Sequence, residues 1–516
     1  MLLRSAAFGG MVASIGVTAY YVSVPLAVWL LTLAGLTYFR PVYGVAVLFL
    51  VISIDQAAAT FGGIVVGYSE IEFFICLLAW SVSVQDLKKL QWRCLLWGAP
   101  FLGAVALSGL TNIDWYRVPP HLLRSSELIL ALFLAENVVK QARIRQGASF
   151  RRRAVDLGPG QGLKLPETEA TPSLRYAVAA AAFFFPLMGL PQYFEVWAGR
   201  IFAYFTNANQ FAGYLAMLLP FLAVFFFETA GRGSRLLWTY SFVVGLAALA
   251  ITLSRGALLG ALVSLMLIWC IYYWGKIAVF FANPFRKVGA CFRRSGVTVC
   301  IHTLFFLAAG LYLAFGSSLS GSLQKSIEGV TSRSNEGFIS SFKNQRLPYL
   351  AAGWEMWKDH PLLGVGPGRY DDIVSSYLPV VDRFEGKVKD VKVIKTYMGI
   401  HVHNLYLQLA IDLGLVGLVA FCWLLRQTIG ALLRSVRDSP WPLAGLGLLV
   451  GFTIHNLFDV TFPSLGFEMG LLAGMALGYT LDPSRDNDLQ IIRANPSSGP
   501  QPRNSCNSCS SFRDFV

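Results

Sequence analysis

The chain is 516 residues long, with 55% of residues in the hydrophobic set, 14% charged, and a formal net charge of +13. Soluble domains are roughly 45–50% apolar and about 25% charged, whereas this chain has a mean hydropathy of +0.55 and carries 13 Trp, 20 Tyr and 38 Phe. That balance excludes a soluble nucleic-acid binder and fits a polytopic membrane protein whose Lys and Arg are held in cytoplasmic loops.

Spans of about 20 apolar residues are predicted near 6–22, 24–38, 42–58, 66–84, 95–110, 124–139, 175–190, 209–228, 236–252, 257–275, 298–316, 404–425, 441–459 and 464–480. The first two are short and nearly continuous. The expected fold class is therefore an all-α polytopic membrane protein with about 12–14 transmembrane helices and one long, partly helical periplasmic loop. Arg4 precedes the first apolar run, but no small-residue cleavage site follows, so the segment is expected to be a retained helix.

A cytoplasmic N-terminus puts the dense basic clusters on alternate loops. These are Arg40; Lys88, Lys89 and Arg93; Lys140 to Arg153; Arg232 and Arg235; Lys276 to Arg294; and Arg426 to Arg437. Positive-inside thus gives one orientation, with both termini cytoplasmic. None of the eight cysteines falls in an outward loop, so no disulfide framework is expected. Cys506 and Cys509 have ligand spacing, but no second pair or His accompanies them.

The expected organisation is N-terminal transmembrane helices over 1–139, a polar cytoplasmic loop over 140–174, and central helices over 175–316. A periplasmic loop follows over 317–403, then C-terminal helices over 404–480 and a disordered cytoplasmic tail over 481–516. In the periplasmic loop, Leu350, Trp354 and Trp357 repeat at helical spacing and predict a helix over 342–359. Gly364, Gly366, Pro367 and Gly368 then predict a tight turn. A phosphate cradle would need a strand–loop–helix setting that is missing there.

Ionisable groups at the membrane interface are functional candidates by default, and three stretches fall on the outward side. In Thr252 to Ala257, Ser254 is placed to cap the next helix, which sets Arg255 at an outward helix N-terminus. Free N–H groups, the dipole and a guanidinium make an anion site there, and the arginine fork suits phosphate. The alternative is an interfacial arginine that snorkels. Arg346 opens the helical pattern of the loop, where an ordinary solvated arginine is the competing reading. His403, beside Asn404 at the start of the next span, has surroundings that keep an imidazole neutral and able to accept a proton. A metal pair with His401 is discounted, because alternation in an extended segment points two histidines to opposite faces and no carboxylate lies in the segment. Arg200 and Asn209 fall just before or at the start of another outward end. His455 and Asp459 are one helical turn apart, so the carboxylate is expected to orient that ring.

These stretches, in this order, resemble the O-antigen ligase/polymerase family of bacterial inner-membrane glycosyltransferases. The similarity lies in RIFAYFTNANQFAGYLAMLLP, TLSRGALLGALVSL, RLPYLAAGWEMWKDHPLLGVGPGRY and HVHNLYLQLAIDLGLVGLVAFCWLL. It covers about 200–425 and extends more weakly to about 480. The resemblance implies transfer of a glycan from undecaprenyl diphosphate to a lipid or saccharide acceptor hydroxyl at the periplasmic face. It also implies that Arg255, Arg346 and His403 are the essential residues, with Arg333 and Arg369 as rivals to Arg346 in the same loop. Arg200, Asn209, Ser254, Asn404 and His455 are expected to bind substrate. No cofactor, no metal and no nucleic acid are expected, and attack in line predicts inversion. A polymerase of the same family is one alternative. A solute transporter, as for inorganic carbon, is another, although inverted repeats and helices broken at the midplane are not evident.

Overall fold

The computed structural model describes residues 24–51, 57–61, 64–84, 86–112, 118–156, 170–195, 201, 203, 205, 207–229, 231–282, 346–383, 401–436, 439–462 and 464–480. Helices occupy Val24–Phe39 (α1), Pro41–Val51 (α2), Tyr68–Ser83 (α3), Arg93–Thr111 (α4), Val118–Asp156 (α5) and Ala170–Glu195 (α6). They continue with Ala208–Glu228 (α7), Arg232–Ile251 (α8), Arg255–Ala282 (α9) and Leu347–Asp359 (α10). Two short turns, Tyr370–Ile373 (α11) and Leu378–Asp382 (α12), precede Leu405–Ser435 (α13), Trp441–His455 (α14) and Gly466–Gly478 (α15).

Every expected span within these residues contains a helix; the segments 6–22 and 298–316 lie outside the described residues, as does the tail from 481. Among the described residues, five stretches are long and apolar enough to cross a bilayer: Arg93–Thr111, Ala208–Glu228, Gly233–Ile251, Arg255–Tyr272 and Leu405–Ser435. Shorter apolar helices, α14 and α15 among them, pack beside these. The chain is an all-α polytopic membrane protein. Two details differ from the sequence expectation. An antiparallel hairpin, Ala57–Phe61 (β1) with Ile64–Gly67 (β2), joins α2 to α3 and takes in the end of the span expected at 42–58 and the start of the one at 66–84. Its β-branched run Ile64-Val65-Val66 favours extended backbone. Helix α5 also continues to Asp156, into the stretch expected to be a loop, because Lys, Gln, Ala and Arg are good helix formers.

Close backbone approach holds the C-terminal helices. Gly470 and Gly474 lie four residues apart on α15, and a Cβ at either would stand 2.6 Å from a carbonyl oxygen of α5, on Leu128 or Leu132 respectively. Packing in lipid gains from such contact because apolar surface alone gives helices no preference for each other over acyl chains. All thirteen residues of α15 are buried. Helix α7 is central: every residue from Phe211 to Phe225 is buried, so it is apolar all round.

The bundle has two chemically distinct ends. At one, Trp441 stacks on Tyr479 with centroids 4.4 Å apart, Arg175 and Arg143 lie over these rings, and Arg93 pairs with buried Glu136 at 2.5 Å. At the other lie the turns before α7, α9 and α13 and the turn between α14 and α15. The second end gathers the histidines His401, His403 and His455.

Candidate active site

The long loop is fastened to α13 at a break in that helix. Gly414 has φ 66° and ψ −169°, which only glycine adopts readily. The break frees main-chain groups, and the turn Pro361 to Gly366 takes them up. Val365 and Gly366 donate to the carbonyls of Ile411 and Asp412 at 2.8 and 3.0 Å, while Leu415 and Val416 donate to those of Pro361 and Leu362 at 2.8 and 3.2 Å. Gly364, Gly366 and Gly368 all have positive φ, as the tight turn requires. Tyr349, Ala352 and Met356 of α10 share an apolar cluster with Val402 and Ile411. Helix α10 thus forms within the expected 342–359 stretch, and Arg346 is its N-cap residue.

The turn after α14 is the hub. Asn456 accepts at Oδ1 from the Thr461 N–H and hydroxyl, both at 2.9 Å, which shapes the turn. Three successive carbonyls then receive donors from the loop side. The Leu405 N–H donates to Asn456 at 2.9 Å, Asn404 Nδ2 donates to Leu457 at 3.1 Å, and Arg346 Nη1 donates to Phe458. The Phe458 side chain covers Gly256, where an added Cβ would lie 2.9 Å from Phe458 Cβ. One turn therefore ties Arg346 and Asn404 to the start of α9, where Arg255 follows a tight Thr252–Ser254 bend with Leu253 at φ 56°. Asn404 also caps α13, its Oδ1 accepting from the Leu407 N–H at 2.9 Å. Both ends of its side chain are engaged within the protein.

Asp459, next in this turn, faces both histidines of the loop. Its Oδ1 is 3.8 Å from His401 Nε2 and 3.7 Å from His403 Nδ1, and the two rings lie 4.3 Å apart at 85°. His403 has φ 54°, so the segment does not alternate as expected, and the two rings come together. The missing carboxylate comes from a distant part of the chain. The His403 N–H donates to His401 Nδ1 at 3.3 Å, which leaves the proton of a neutral His401 on Nε2, toward Asp459. Burial, and then the neighbouring His403, bring the His401 pKa down to about 4, against the pull of Asp459. For Asp459, burial alone works to raise the pKa, but His403, His455 and His401 outweigh it and hold the carboxyl well below its usual range. The Tyr349 ring meets His403 edge-on at 5.4 Å.

His455 ends α14 and is buried under α7, where a Cβ on Gly213 would stand 3.0 Å from its Cδ2 and the Asn209 backbone lies beside the ring. Because the helix stops there, Asp459 lies beyond it and faces three imidazoles rather than His455 alone. Asn207 caps α7, accepting from the Asn209 and Gln210 N–H groups at 2.9 Å. Arg200 and Arg333 lie outside the described residues. Of the loop arginines, Arg369 reaches the Asn112 carbonyl at 3.3 Å, at the end of α4, whereas Arg346 sits on the hub.

Residues 240–422 match the family model described as O-Antigen ligase. The match covers 183 of the 516 residues, and that stretch is similar to the O-antigen ligase family. It contains Arg255, Arg346 and His403, and it ends in α13 just beyond the Gly414 break. Asp459 and His455 lie outside the matched stretch, and Asp459 meets it at His401 and His403. No curated protein matches the chain.

Proposed function

We propose that this protein moves a glycan from undecaprenyl diphosphate to an acceptor hydroxyl at the periplasmic face of the bacterial inner membrane, as an O-antigen ligase does. The reading is supported above all by the Asn456–Asp459 turn, to which Arg346, the Arg255 turn and His403 are all joined. Negative charge grows on the diphosphate as it leaves the anomeric carbon. Arg255 and Arg346 stabilise that charge in a partly dewatered site, where such contacts contribute several kcal/mol. Two guanidinium groups supply the neutralisation that a metal ion provides elsewhere, so the transfer proceeds without a metal cofactor. His403 Nδ1 faces Asp459, which leaves Nε2 to take the proton of the attacking hydroxyl. In-line attack inverts the sugar carbon. Asn209 and Ser254 are assigned to donor binding, whereas Asn404 holds the hub in place with both ends of its side chain.

The test is transfer by the purified, lipid-reconstituted chain from a polyprenyl-diphosphate glycan to an acceptor lipid. Arg255→Ala, Arg346→Ala and His403→Ala each lower the rate by about 100-fold or more with membrane insertion unchanged, and the product linkage is inverted by NMR. Product at the wild-type rate from His403→Ala removes the base from the scheme. In a deletion strain, polymer accumulating on its carrier marks the ligase, and carrier-linked single repeat units mark a polymerase instead.

A further inference from the structure

We propose that His401, His403 and Asp459 form a site for one divalent cation of the Zn2+ class, and that its occupancy inhibits transfer. One ligand atom from each residue, two imidazole nitrogens and one carboxylate oxygen, lies within 4.8 Å of the others. Zinc bonds of about 2.0–2.1 Å in a tetrahedron place the donors roughly 3.3–3.5 Å apart. The Asp459 Oδ1 contacts of 3.7 and 3.8 Å therefore need only small side-chain rotations. A second observation points into the same space. Asp459 Oδ2 and His403 Nδ1 are buried and have no hydrogen-bond partner among the described residues. Buried polar atoms left this way cost free energy that a ligand can recover. Two imidazoles with one carboxylate is a donor set that Zn2+ takes readily, leaving a fourth position for water. Binding through His401 Nε2 moves that ring's proton to Nδ1 and displaces the 3.3 Å contact from the His403 N–H. Among the described residues, Arg346, His455 and Tyr349 also face this cluster, and the guanidinium limits affinity by repulsion.

The inhibitory effect rests on the assignment of His403 as the base. A cation on Nδ1 leaves the single proton of the neutral ring on Nε2. That nitrogen is then a donor and has no lone pair for the proton of the attacking hydroxyl. Binding itself does not depend on this assignment, so the two are measured separately.

Zn2+ is titrated into the purified full chain by calorimetry, and transfer is assayed with Zn2+ and after chelation. The expected result is one equivalent bound by the wild type, binding about tenfold or more weaker in His401→Gln and in His401→Ala, and inhibition reversed by chelator. The transfer that remains in His401→Gln is insensitive to Zn2+. Equal affinity in wild type and both variants, each folded by thermal melt, overturns the site. Binding that is lost in the variants without inhibition of the wild type keeps the site and overturns the role of His403. Stimulation by Zn2+, with loss of transfer under chelation, overturns the inhibitory role.

Discussion

Asp459 Oδ1 stands 3.7 Å from His403 Nδ1, across from a helix that ends four residues before the carboxylate. The carboxylate is buried and held ionised by the imidazoles around it. A fixed negative charge at that nitrogen orients the ring and stabilises the imidazolium that forms when Nε2 takes a proton.

Asp459→Asn keeps the size of the side chain and removes its charge. We expect kcat for transfer to fall by about 100-fold or more, with KM for the donor nearly unchanged, because the loss acts on the transition state. Asp459→Glu recovers part of the rate. Steady-state kinetics on reconstituted protein separate these outcomes. A change confined to KM would place Asp459 in donor binding instead.

Gly256 tests the link between the Arg255 turn and the hub. A Cβ there would lie 2.9 Å from Phe458 Cβ, so Gly256→Val must push the turn that carries Phe458 and Asp459. Overpacking of this kind costs about 1–3 kcal/mol. Transfer should drop further than the melting temperature indicates, because Arg346 and Asp459 both depend on that turn. A melt and a rate assay on the same preparation decide it.

Much of this arrangement was legible in the sequence, for physical reasons that differ by element. Span positions follow from hydropathy, because lipid solvates apolar side chains and the backbone must satisfy itself within a helix. The turn at Gly364 to Gly368 follows from glycine spacing, and α10 from the Leu350, Trp354 and Trp357 repeat. The positive φ of His403 carries no such signature, since nothing in HVHN marks a left-handed histidine. Extended alternation sets the rings apart, and the left-handed turn brings them together instead. Asp459 was visible as one acidic residue in an apolar outer end, but its partnership with the 401–403 segment is a tertiary contact. The hairpin at 57–67 was hidden inside apolar runs that suit a helix or a strand equally.

Gly414→Ala addresses how the loop is held. The substitution places a Cβ 2.1 Å from the Leu362 carbonyl oxygen at φ 66°, so it is strained in backbone and in space. We expect a loss of about 2–4 kcal/mol, from strain and from displacement of the four hydrogen bonds that join the turn to α13. The readout is a lower midpoint of thermal unfolding in detergent, with increased proteolysis of the 361–366 turn.

Arg93→Ala probes the opposite end, far from the proposed chemistry. Arg93 pairs with Glu136, which is fully buried, and also donates to the Thr480 hydroxyl at 2.9 Å. Removing the guanidinium leaves a carboxylate in a dry environment with its main compensation gone, a change that costs about 3–5 kcal/mol. Arg93→Ala together with Glu136→Gln removes both charges and should recover most of that loss. Transfer per folded molecule should be near wild type in both variants, since the residues of the hub lie at the other end of α14 and α15. Loss of transfer in the double variant at full thermal stability would mean that the two ends are coupled. The separation of structural and chemical roles between them would then not hold.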